Sequence, residues 1–330
     1  MEEPVYNLIH VPVLLDSKVL LVEALIVLTV YKELVLEQQL LKLQLSVMRS
    51  KVWHSNSATS TCKNAQWECT KKRCDSTCSA TGDPHYMTFD GFRYNFMGTC
   101  SYYMIKSDNF DVIADNIKCG HGFASCTKSI TINIGGHRIT LSHNHQLFFD
   151  NQEITKLPYQ DDQIKITMVS SLFMKAVLSN GIGVLWDGRT RAYITAPPTF
   201  INKTEGLCGT FDYNQKNDFK TLQGIVETDV NAFGNQWKTV QTCANMPVGQ
   251  VTNPCDSNAQ QHEQAKKYCS YLKSDVFKLQ EFYEDCEYDM CACTENIKDC
   301  LCPMLGEYAK QCAAKAVSIP WRTRVKECRK

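Results

Sequence analysis

The pattern of apolar and polar positions between residues 79 and 243 predicts a β-structure. The stretch "SITINIGGHRITLS" (129–142) has two alternating runs around Gly135-Gly136, which is typical of a hairpin with a two-residue turn. Similar runs surround Asp150-Asn151 and Asn180-Gly181. Because these turn signals recur at short intervals without a long helical pattern between them, the segment is predicted to be an antiparallel β-sandwich.

The pattern changes beyond residue 254. The stretches "NAQQHEQAKKYCSYL" (258–272) and "LGEYAKQCAAKAV" (305–317) have apolar or Cys residues three and four positions apart, as helices do. Pro247, Gly249 and Pro254 mark a boundary before them. We therefore expect a mainly β protein whose sandwich is followed by a small, disulfide-rich α-helical module.

Residues 1–58 have a different composition from the rest of the chain, with no cysteine and many Leu and Val residues. The apolar stretch 19–31 contains Glu23 and is shorter than the ~20 residues that a membrane span needs. An acidic start and the lack of a clear cleavage site argue against a signal peptide. An atypical leader, disordered or mispredicted, is the favoured interpretation, and a membrane anchor is the alternative.

Charge and cysteine content limit the class of protein. Lys plus Arg and Asp plus Glu number 35 each, so nothing favours nucleic acid or an anionic membrane as a partner. All 18 cysteines lie between Cys62 and Cys328, a density that is rare in the reducing cytosol. An extracellular, secreted protein with a disulfide framework is predicted. The glycosylation sequon at Asn202 agrees with that location.

A candidate metal site lies in "GLCGTFDYNQKNDF" (206–219). Four side chains with oxygen atoms, those of Asp212, Asn214, Asn217 and Asp218, occur within seven residues. Ca²⁺ prefers such carboxylate and amide oxygens. An EF-hand is excluded, because Asn217 replaces its glycine and its final glutamate is missing. The alternative is a turn closed by its own Asn and Asp side chains.

Two motifs in this order resemble the von Willebrand factor type D domain: "CSATGDPHYMTFDGFRYNFMGTC" (78–100), then "GLCG" with its Asx-rich loop. Residues 255–328, with "YEDCEYDMCAC" and "LGEYAKQCAAKAV", resemble the C8 module. The resemblance divides the chain into the tail of an E/TIL-like module (59–78), a type D domain (79–244) and a C8 module (255–328). Its finer character is nearest to hemocytin-like clotting proteins.

The resemblance implies a structural Ca²⁺ ion. Its ligands would be Asp90 of the "FDG" motif together with Asp212, Asn217 and Asp218, while Asn214 lies where family members vary. Thr210 replaces an asparagine ligand that is common in the family. Such an ion would join two parts of the chain that are more than a hundred residues apart, and would stabilise only the folded pairing.

The resemblance also implies disulfide bonds between Cys78 and Cys208, Cys100 and Cys243, and Cys119 and Cys126. Cys255, Cys269, Cys286 and Cys291 are expected in disulfides too, but the pairing in the C8 part stays open, and the usual partner of Cys312 is missing. One family bridge is replaced at both ends, by Asn109 and Glu205. A zinc cluster formed by "CAC" (291–293) and "CLC" (300–302) is the alternative there.

Two histidine-containing motifs suggest other chemistry. The motif "GDPH" (82–85) resembles a sequence at which some mucins cleave themselves, so cleavage between Asp83 and Pro84 is a further hypothesis beside a plain turn. His143 and His145 are expected to share one strand face, as part of a hairpin surface rather than as metal ligands.

These observations predict a non-catalytic, calcium-stabilised module of a secreted adhesive or gel-forming glycoprotein. The expected partners are other extracellular glycoproteins or the chain itself, with a disulfide-linked oligomer as one form. No small-molecule substrate is expected, because no catalytic triad, phosphate loop or paired carboxylates stand out. A growth-factor or other ligand-binding module is the alternative, and an enzyme is the third hypothesis.

Overall fold

A computed structural model describes ten segments of the chain and divides it into two compact units, Met1–Lys72 and Arg73–Lys330. In the first unit, β1 (Ser60–Lys63) and β2 (Gln66–Cys69) form an antiparallel hairpin. The predicted leader, residues 1–58, lies outside the described residues. These are 60–63, 66–69, 73–82, 85–119, 124–249, 253–257, 259–272, 280–294, 296–314 and 318–329.

Two antiparallel sheets form most of the second unit in the described residues, which confirms the predicted mainly β fold. The strands of the larger sheet lie in the order β12 (Tyr159–Gln160), β13 (Ile164–Met168), β14 (Met174–Leu178), β15 (Gly183–Trp186), β16 (Ala192–Ala196), β3 (Ser76–Thr81), β4 (His85–Met87) and β5 (Arg93–Asn95). The smaller sheet has the order β11 (Gln152–Glu153), β10 (Leu147–Phe149), β9 (His137–Leu141), β8 (Ser125–Ile134), β7 (Phe110–Lys118) and β6 (Ser101–Lys106).

One apolar core contains residues from both sheets. In β14 the alternation is regular: Met174, Ala176 and Leu178 are buried, while Lys175 and Val177 are exposed. Burial on every second position is what a strand with one face on a core requires. The largest buried side chains include Trp186 and Trp237, so the core is rich in aromatic residues.

The predicted turns occur where glycine and asparagine allow positive φ. Gly135 and Gly136 have φ of 59° and 83°, and Asp150 and Asn151 have 48° and 67°. The prediction for "SHNH" was wrong. His143 and His145 lie in a short 3-10 turn around Asn144, whose φ of 56° breaks the strand alternation, so the two histidines do not share a strand face.

Five α-helices occur in the described residues: α1 (Val230–Gln236), α2 (Ala259–Cys269), α3 (Gln280–Ala292), α4 (Ile297–Ala314) and α5 (Trp321–Arg324). The pattern did not predict α1 or α3. Helix α4 begins well before the predicted start at residue 305, although it contains Pro303. Among the described residues, no helix is both long and apolar enough to cross a membrane.

The described residues contain seven disulfide bonds. Cys78–Cys208, Cys100–Cys243 and Cys119–Cys126 are the three pairs that the resemblance implied. The helical module contains Cys255–Cys291, Cys269–Cys286, Cys293–Cys300 and Cys302–Cys328. The zinc alternative is therefore wrong, because every cysteine of "CAC" and "CLC" is in a disulfide and cannot act as a thiolate ligand. Cys312 is buried in α4.

Candidate metal centre

The first part of the candidate site is the turn between β4 and β5. The Thr88 N–H donates to the Phe92 carbonyl (2.9 Å), and the Gly91 N–H donates to the Thr88 carbonyl (3.1 Å). Gly91 has φ of 82°, a conformation that a tight turn favours and glycine adopts readily. This turn holds the Asp90 side chain at the tip of the hairpin, where it is only 3% exposed.

The second part is the loop 206–219, which a disulfide brings to the hairpin. Cys208 is bonded to Cys78 on β3, the strand next to β4, across 130 positions of sequence. The Phe89 N–H donates to the Cys208 carbonyl (3.0 Å), and the Tyr94 hydroxyl donates to the Leu207 carbonyl. The crowding of polar residues beside a cysteine thus has a structural reason: the bridge fixes the loop against the tip of the hairpin.

Gly209 allows one carboxylate to approach the backbone closely. Its φ is 68°, and a Cβ atom there would lie 2.4 Å from Oδ1 of Asp218. Real side chains do not tolerate such a distance, so the glycine after Cys208 makes room for the Asp218 carboxylate. The Asp218 side chain is only 1% exposed.

Asp90 connects the two parts directly. Its Oδ2 accepts hydrogen bonds from the backbone N–H groups of Asp212 (3.1 Å) and Asn214 (2.8 Å). The Gln215 side-chain amide donates to the Asp90 backbone carbonyl (2.8 Å). The prediction that the "FDG" aspartate lies beside this loop, although it is more than a hundred residues away in sequence, agrees with this geometry.

The structure separates Asn214 from the other predicted ligands. The Asn214 side chain is exposed, and its Oδ1 accepts from the Lys216 N–H (3.3 Å) to cap a short 3-10 turn. By contrast, Asp212 and Asn217 face each other, with Asn217 Nδ2 donating to Asp212 Oδ2 (2.6 Å). Thr210 Oγ1 donates to Asn217 Oδ1 (3.1 Å), so the threonine that replaces an asparagine orients a neighbour.

Among the described residues, two buried carboxylate oxygens lack a hydrogen-bond donor: Oδ1 of Asp90 and Oδ1 of Asp218. Burial raises the pKa of the Asp90 carboxyl. Burial, together with the charges of Asp90 and Asp212, also raises the pKa of Asp218 to about 7. Buried polar atoms are nearly always paired, so two unpaired carboxylate oxygens in one place are compatible with a cation between the hairpin and the loop.

These residues fit a hard cation that prefers oxygen ligands. Carboxylates of Asp90, Asp212 and Asp218 and the amide oxygen of Asn217 are the donor types that Ca²⁺ takes. Within the described part of the chain, no three His, Cys, Asp or Glu side chains already form a closed metal-binding group. A cation here would therefore also draw on amide or carbonyl oxygens and would require Asp212 to release the Asn217 amide.

Sequence reasoning missed two supporting residues, Thr88 and Gln215. Thr88 Oγ1 donates to Asp218 Oδ2 (2.7 Å) and accepts from the Phe92 N–H (2.9 Å), so it links the hairpin to the loop. A threonine two positions before the "FDG" aspartate carries no signal for that role in the sequence alone. The Gln215 contact likewise depends on how the loop is folded.

The remaining predicted sites are the glycosylation sequon at Asn202 and the bond between Asp83 and Pro84. The Asn202 side chain is exposed, whereas Thr204 of the same sequon is buried and accepts from the Phe211 N–H (3.0 Å). Glycosylation at Asn202 stays a prediction. Asp83 and Pro84 lie outside the described residues, so self-cleavage there is also an open prediction.

Comparison of the sequence with known proteins identifies two domain families in the chain. Residues 78–225 match the model of the von Willebrand factor type D domain, and residues 268–329 match the C8 domain. Mouse Mucin-2 is 37% identical over 280 residues, which cover 80% of this chain and 6% of that protein. Chicken SCO-spondin is 32% identical over 275 residues, covering 80% of this chain and 5% of that protein. Human Otogelin is 33% identical over 286 residues, covering 82% and 10%.

The chain thus spans a small part of the length of these relatives. The cysteines predicted an extracellular location, and these relatives are secreted proteins, which supports that prediction. The two matched regions follow each other in the order in which the sequence predicted them. The chain belongs to the family of proteins that carry a von Willebrand factor type D domain followed by a C8 domain, an arrangement that it shares with these relatives.

Proposed function

We propose that this chain is a non-catalytic, calcium-stabilised structural module of a secreted gel-forming or adhesive glycoprotein. The observation that carries the proposal is the pair of buried, unpartnered oxygens on Asp90 and Asp218, which lie on opposite sides of the contact between hairpin and loop. A Ca²⁺ ion would supply the positive charge that these oxygens lack. Such an ion would be held by the two aspartates together with Asp212 and Asn217.

The role of this ion would be thermodynamic. A ligand that binds only the folded state stabilises it in proportion to the logarithm of its concentration over its dissociation constant. Because Asp90 lies on the hairpin and the other ligands lie on the loop, it is the folded contact between the two that presents them in one place. Extracellular calcium would therefore hold the 206–219 loop against the hairpin, in addition to the Cys78–Cys208 bridge.

A module stabilised in this way suits assembly rather than turnover. Relatives such as Mucin-2 and SCO-spondin carry the same two domains within much longer chains. In this proposal the module presents a rigid surface to other extracellular glycoproteins or to a second copy of the chain. A disulfide-linked oligomer is one form that this assembly would take.

The test is the thermal stability of the purified chain in calcium, in magnesium and in EGTA. Calcium is expected to raise the melting temperature of the wild type and to leave the Asp90→Asn variant unchanged. The control is Asp108→Asn, an exposed aspartate in a turn, which should respond to calcium as the wild type does. Equal melting of the wild type in calcium and in EGTA would contradict the proposal.

A second candidate function, binding of a protein ligand, is favoured by one other feature. A cleft of about 1040 Å³ lies between the 187–191 loop of the sandwich and helices α4 and α5. Arg189 and Arg322 line it, and the Arg322 guanidinium lies 4.2 Å from the centre of the Trp321 ring. Trp321 itself is buried, whereas Arg189 and Arg322 are exposed, and Arg is a residue type that protein interfaces favour.

This candidate is tested by measuring the binding of extracellular-fluid proteins to the immobilised chain. If the cleft is the binding surface, Arg322→Glu removes a specific bound protein, whereas Arg138→Glu on the exposed surface of β9 retains it. The same bound proteins on both variants would exclude the cleft.

A further inference from the structure

The hairpin of β4 and β5 has two faces and a tip, and each contacts a different part of the molecule. His85 pairs with Asn95 and Met87 with Arg93 on one face, while Tyr86 pairs with Tyr94 on the other. Tyr86 and Tyr94 stack in the core of the sandwich. Alternation along the strands places the other face toward the C8 domain.

The C8 face of the hairpin carries a buried ionic cluster with helix α3. His85 Nε2 donates to Asp289 Oδ1 (2.7 Å), and His85 Nδ1 donates to Asn95 Oδ1 (2.8 Å) and lies 3.3 Å from Asp285 Oδ1. Arg93 pairs with Asp285, and its guanidinium lies 4.9 Å from the centre of the Phe282 ring. Two cations of the type D domain therefore meet two carboxylates of the C8 domain.

This cluster depends on both domains. Burial by itself would lower the pKa of His85, but the charges of Asp289 and Asp285 outweigh burial and raise that pKa to about 10. His85 is 3% exposed, so without α3 its charge would lose both compensating carboxylates. Removal of one partner from a buried ion pair is strongly unfavourable because it leaves an uncompensated charge.

The edge of the hairpin is weakly supported by its own sheet. β4 pairs with β3, but β5 is the outermost strand and, among the described strands, has β4 as its single neighbour. Each of the two strands has three residues, and so short an edge depends on its packing partners for stability. Tyr86 and Tyr94 pack one face into the core, so the order of the other face and of the tip depends on α3 and on the 206–219 loop.

The tip carries Thr88 and Asp90 of the candidate metal centre, and Arg93 follows Asp90 by three positions. Residues 88–92 form the turn between the two strands, and Arg93 is the first residue of β5. The candidate cation site and the ionic cluster therefore lie on the same short hairpin.

We propose that calcium binding at the tip of this hairpin and docking of C8 helix α3 at its base are thermodynamically coupled. The C8 domain then sets the calcium affinity of the type D domain. This inference rests on the proposed function, since it requires that the tip binds calcium. The C8 domain would act by positioning Asp90 and Thr88, without contributing a ligand.

The physical basis is the cost of ordering the hairpin. The first of the two events to occur orders the hairpin, so the second event no longer carries that cost. Coupling between two binding equilibria is reciprocal, so calcium must strengthen the docking of α3 by the factor by which α3 strengthens calcium binding. Both directions are therefore measurable in the same chain.

The first direction is tested by calorimetric titration of the chain with CaCl₂. Asp289→Asn keeps the shape of the side chain but removes the negative charge beside His85. It is expected to raise the calcium dissociation constant ~5-fold or more. Glu263→Gln is the matched control, because Glu263 lies on α2 of the C8 region and pairs with the exposed Lys266. It should bind calcium like the wild type.

The second direction uses the wild type alone and does not depend on any variant folding. Calcium that stabilises the whole fold slows exchange in every core element, so exchange of the α3 backbone amides should slow more on calcium addition than exchange in the β8–β9 hairpin. Wild-type affinity in Asp289→Asn, or equal slowing of α3 and the β8–β9 hairpin, would overturn the coupling and leave the proposed function intact. If the wild type does not bind calcium at all, the proposed function fails and the coupling fails with it.

Discussion

At the scale of single residues, the side chains that matter most are the buried charged ones. Asp218 and His85 are both almost fully buried, but their surroundings differ in sign. The positive charge of His85 is compensated by two carboxylates, whereas the carboxylate of Asp218 faces those of Asp90 and Asp212, which have the same sign of charge. The ionised form is therefore favoured for His85 and disfavoured for Asp218, and two predictions with opposite signs follow.

Asp218→Asn is expected to stabilise the calcium-free protein. The pKa of Asp218 in the fold, about 7, lies above its ordinary value of 3.8, so the stability of the calcium-free chain falls as pH rises from about 4 to 7. Removal of the charge should raise the melting temperature in EGTA at pH 7.5 by about 2–4 °C for each ~1 kcal/mol gained. The same variant should lose its response to calcium. A lower melting temperature in EGTA would contradict the prediction.

His85→Gln is expected to destabilise the chain in a pH-dependent way. The pKa of His85 is about 10 in the fold and 6.5 when unperturbed, so its stabilising effect is complete below 6.5 and is lost as pH rises toward 10. The difference in melting temperature between wild type and variant should shrink from pH 6.5 to pH 9.5. His143→Gln, at an exposed position, serves as the control. A constant difference would mean that His85 is not charged in the fold.

At the scale of elements, the 206–219 loop depends on close contacts with β6. The Leu207 and Cys208 N–H groups donate to the carbonyls of Tyr103 and Met104, each over 2.9 Å. These bonds bring the loop backbone against a buried strand, which leaves no room for a side chain at the residue that enters the loop. Gly206 occupies that position.

Gly206→Ala is expected to be more damaging than an ordinary glycine replacement in a turn. Gly206 has φ of 126°, and a Cβ there would lie 2.5 Å from the Met104 carbonyl oxygen. Gly136 has φ of 83° and nothing within 4 Å of a built Cβ, so Gly136→Ala isolates the conformational cost of roughly 1–2 kcal/mol. Overpacking should cost Gly206→Ala a further ~1–3 kcal/mol in the free energy of unfolding. Equal losses in denaturant titrations would show that β6 yields to the side chain.

At the scale of the whole molecule, the disulfides connect segments that are far apart in sequence. Cys78–Cys208 and Cys100–Cys243 span 130 and 143 positions, while Cys119–Cys126 spans 7. The longest bridges restrict the unfolded chain most, and one of them also holds the candidate metal centre together. Covalent links and a cation would then stabilise the same long-range contact.

Removing two of these bridges in turn should separate their roles. In the chain-entropy model the Cys78→Ala/Cys208→Ala variant loses about 5 kcal/mol of stability, and Cys119→Ala/Cys126→Ala loses about 2 kcal/mol. Only the first variant should also lose calcium-dependent melting, because only its bridge lies beside Asp90 and Asp218. Retention of the calcium response in the first variant would show that the hairpin and loop meet without the disulfide.

The sequence by itself determined the fold class, the hairpins at Gly135-Gly136 and Asp150-Asn151, the extracellular class and the family, because alternation, turn residues and cysteine motifs are local signals. Through the family resemblance it also indicated the long-range cysteine pairs and most of the candidate ligands. Only the tertiary structure decided that Asn214 caps a turn, that Thr88 supports Asp218, and that His85 meets Asp289. Those contacts join residues up to 204 positions apart, and local sequence patterns do not show which distant charged residues will share one buried site.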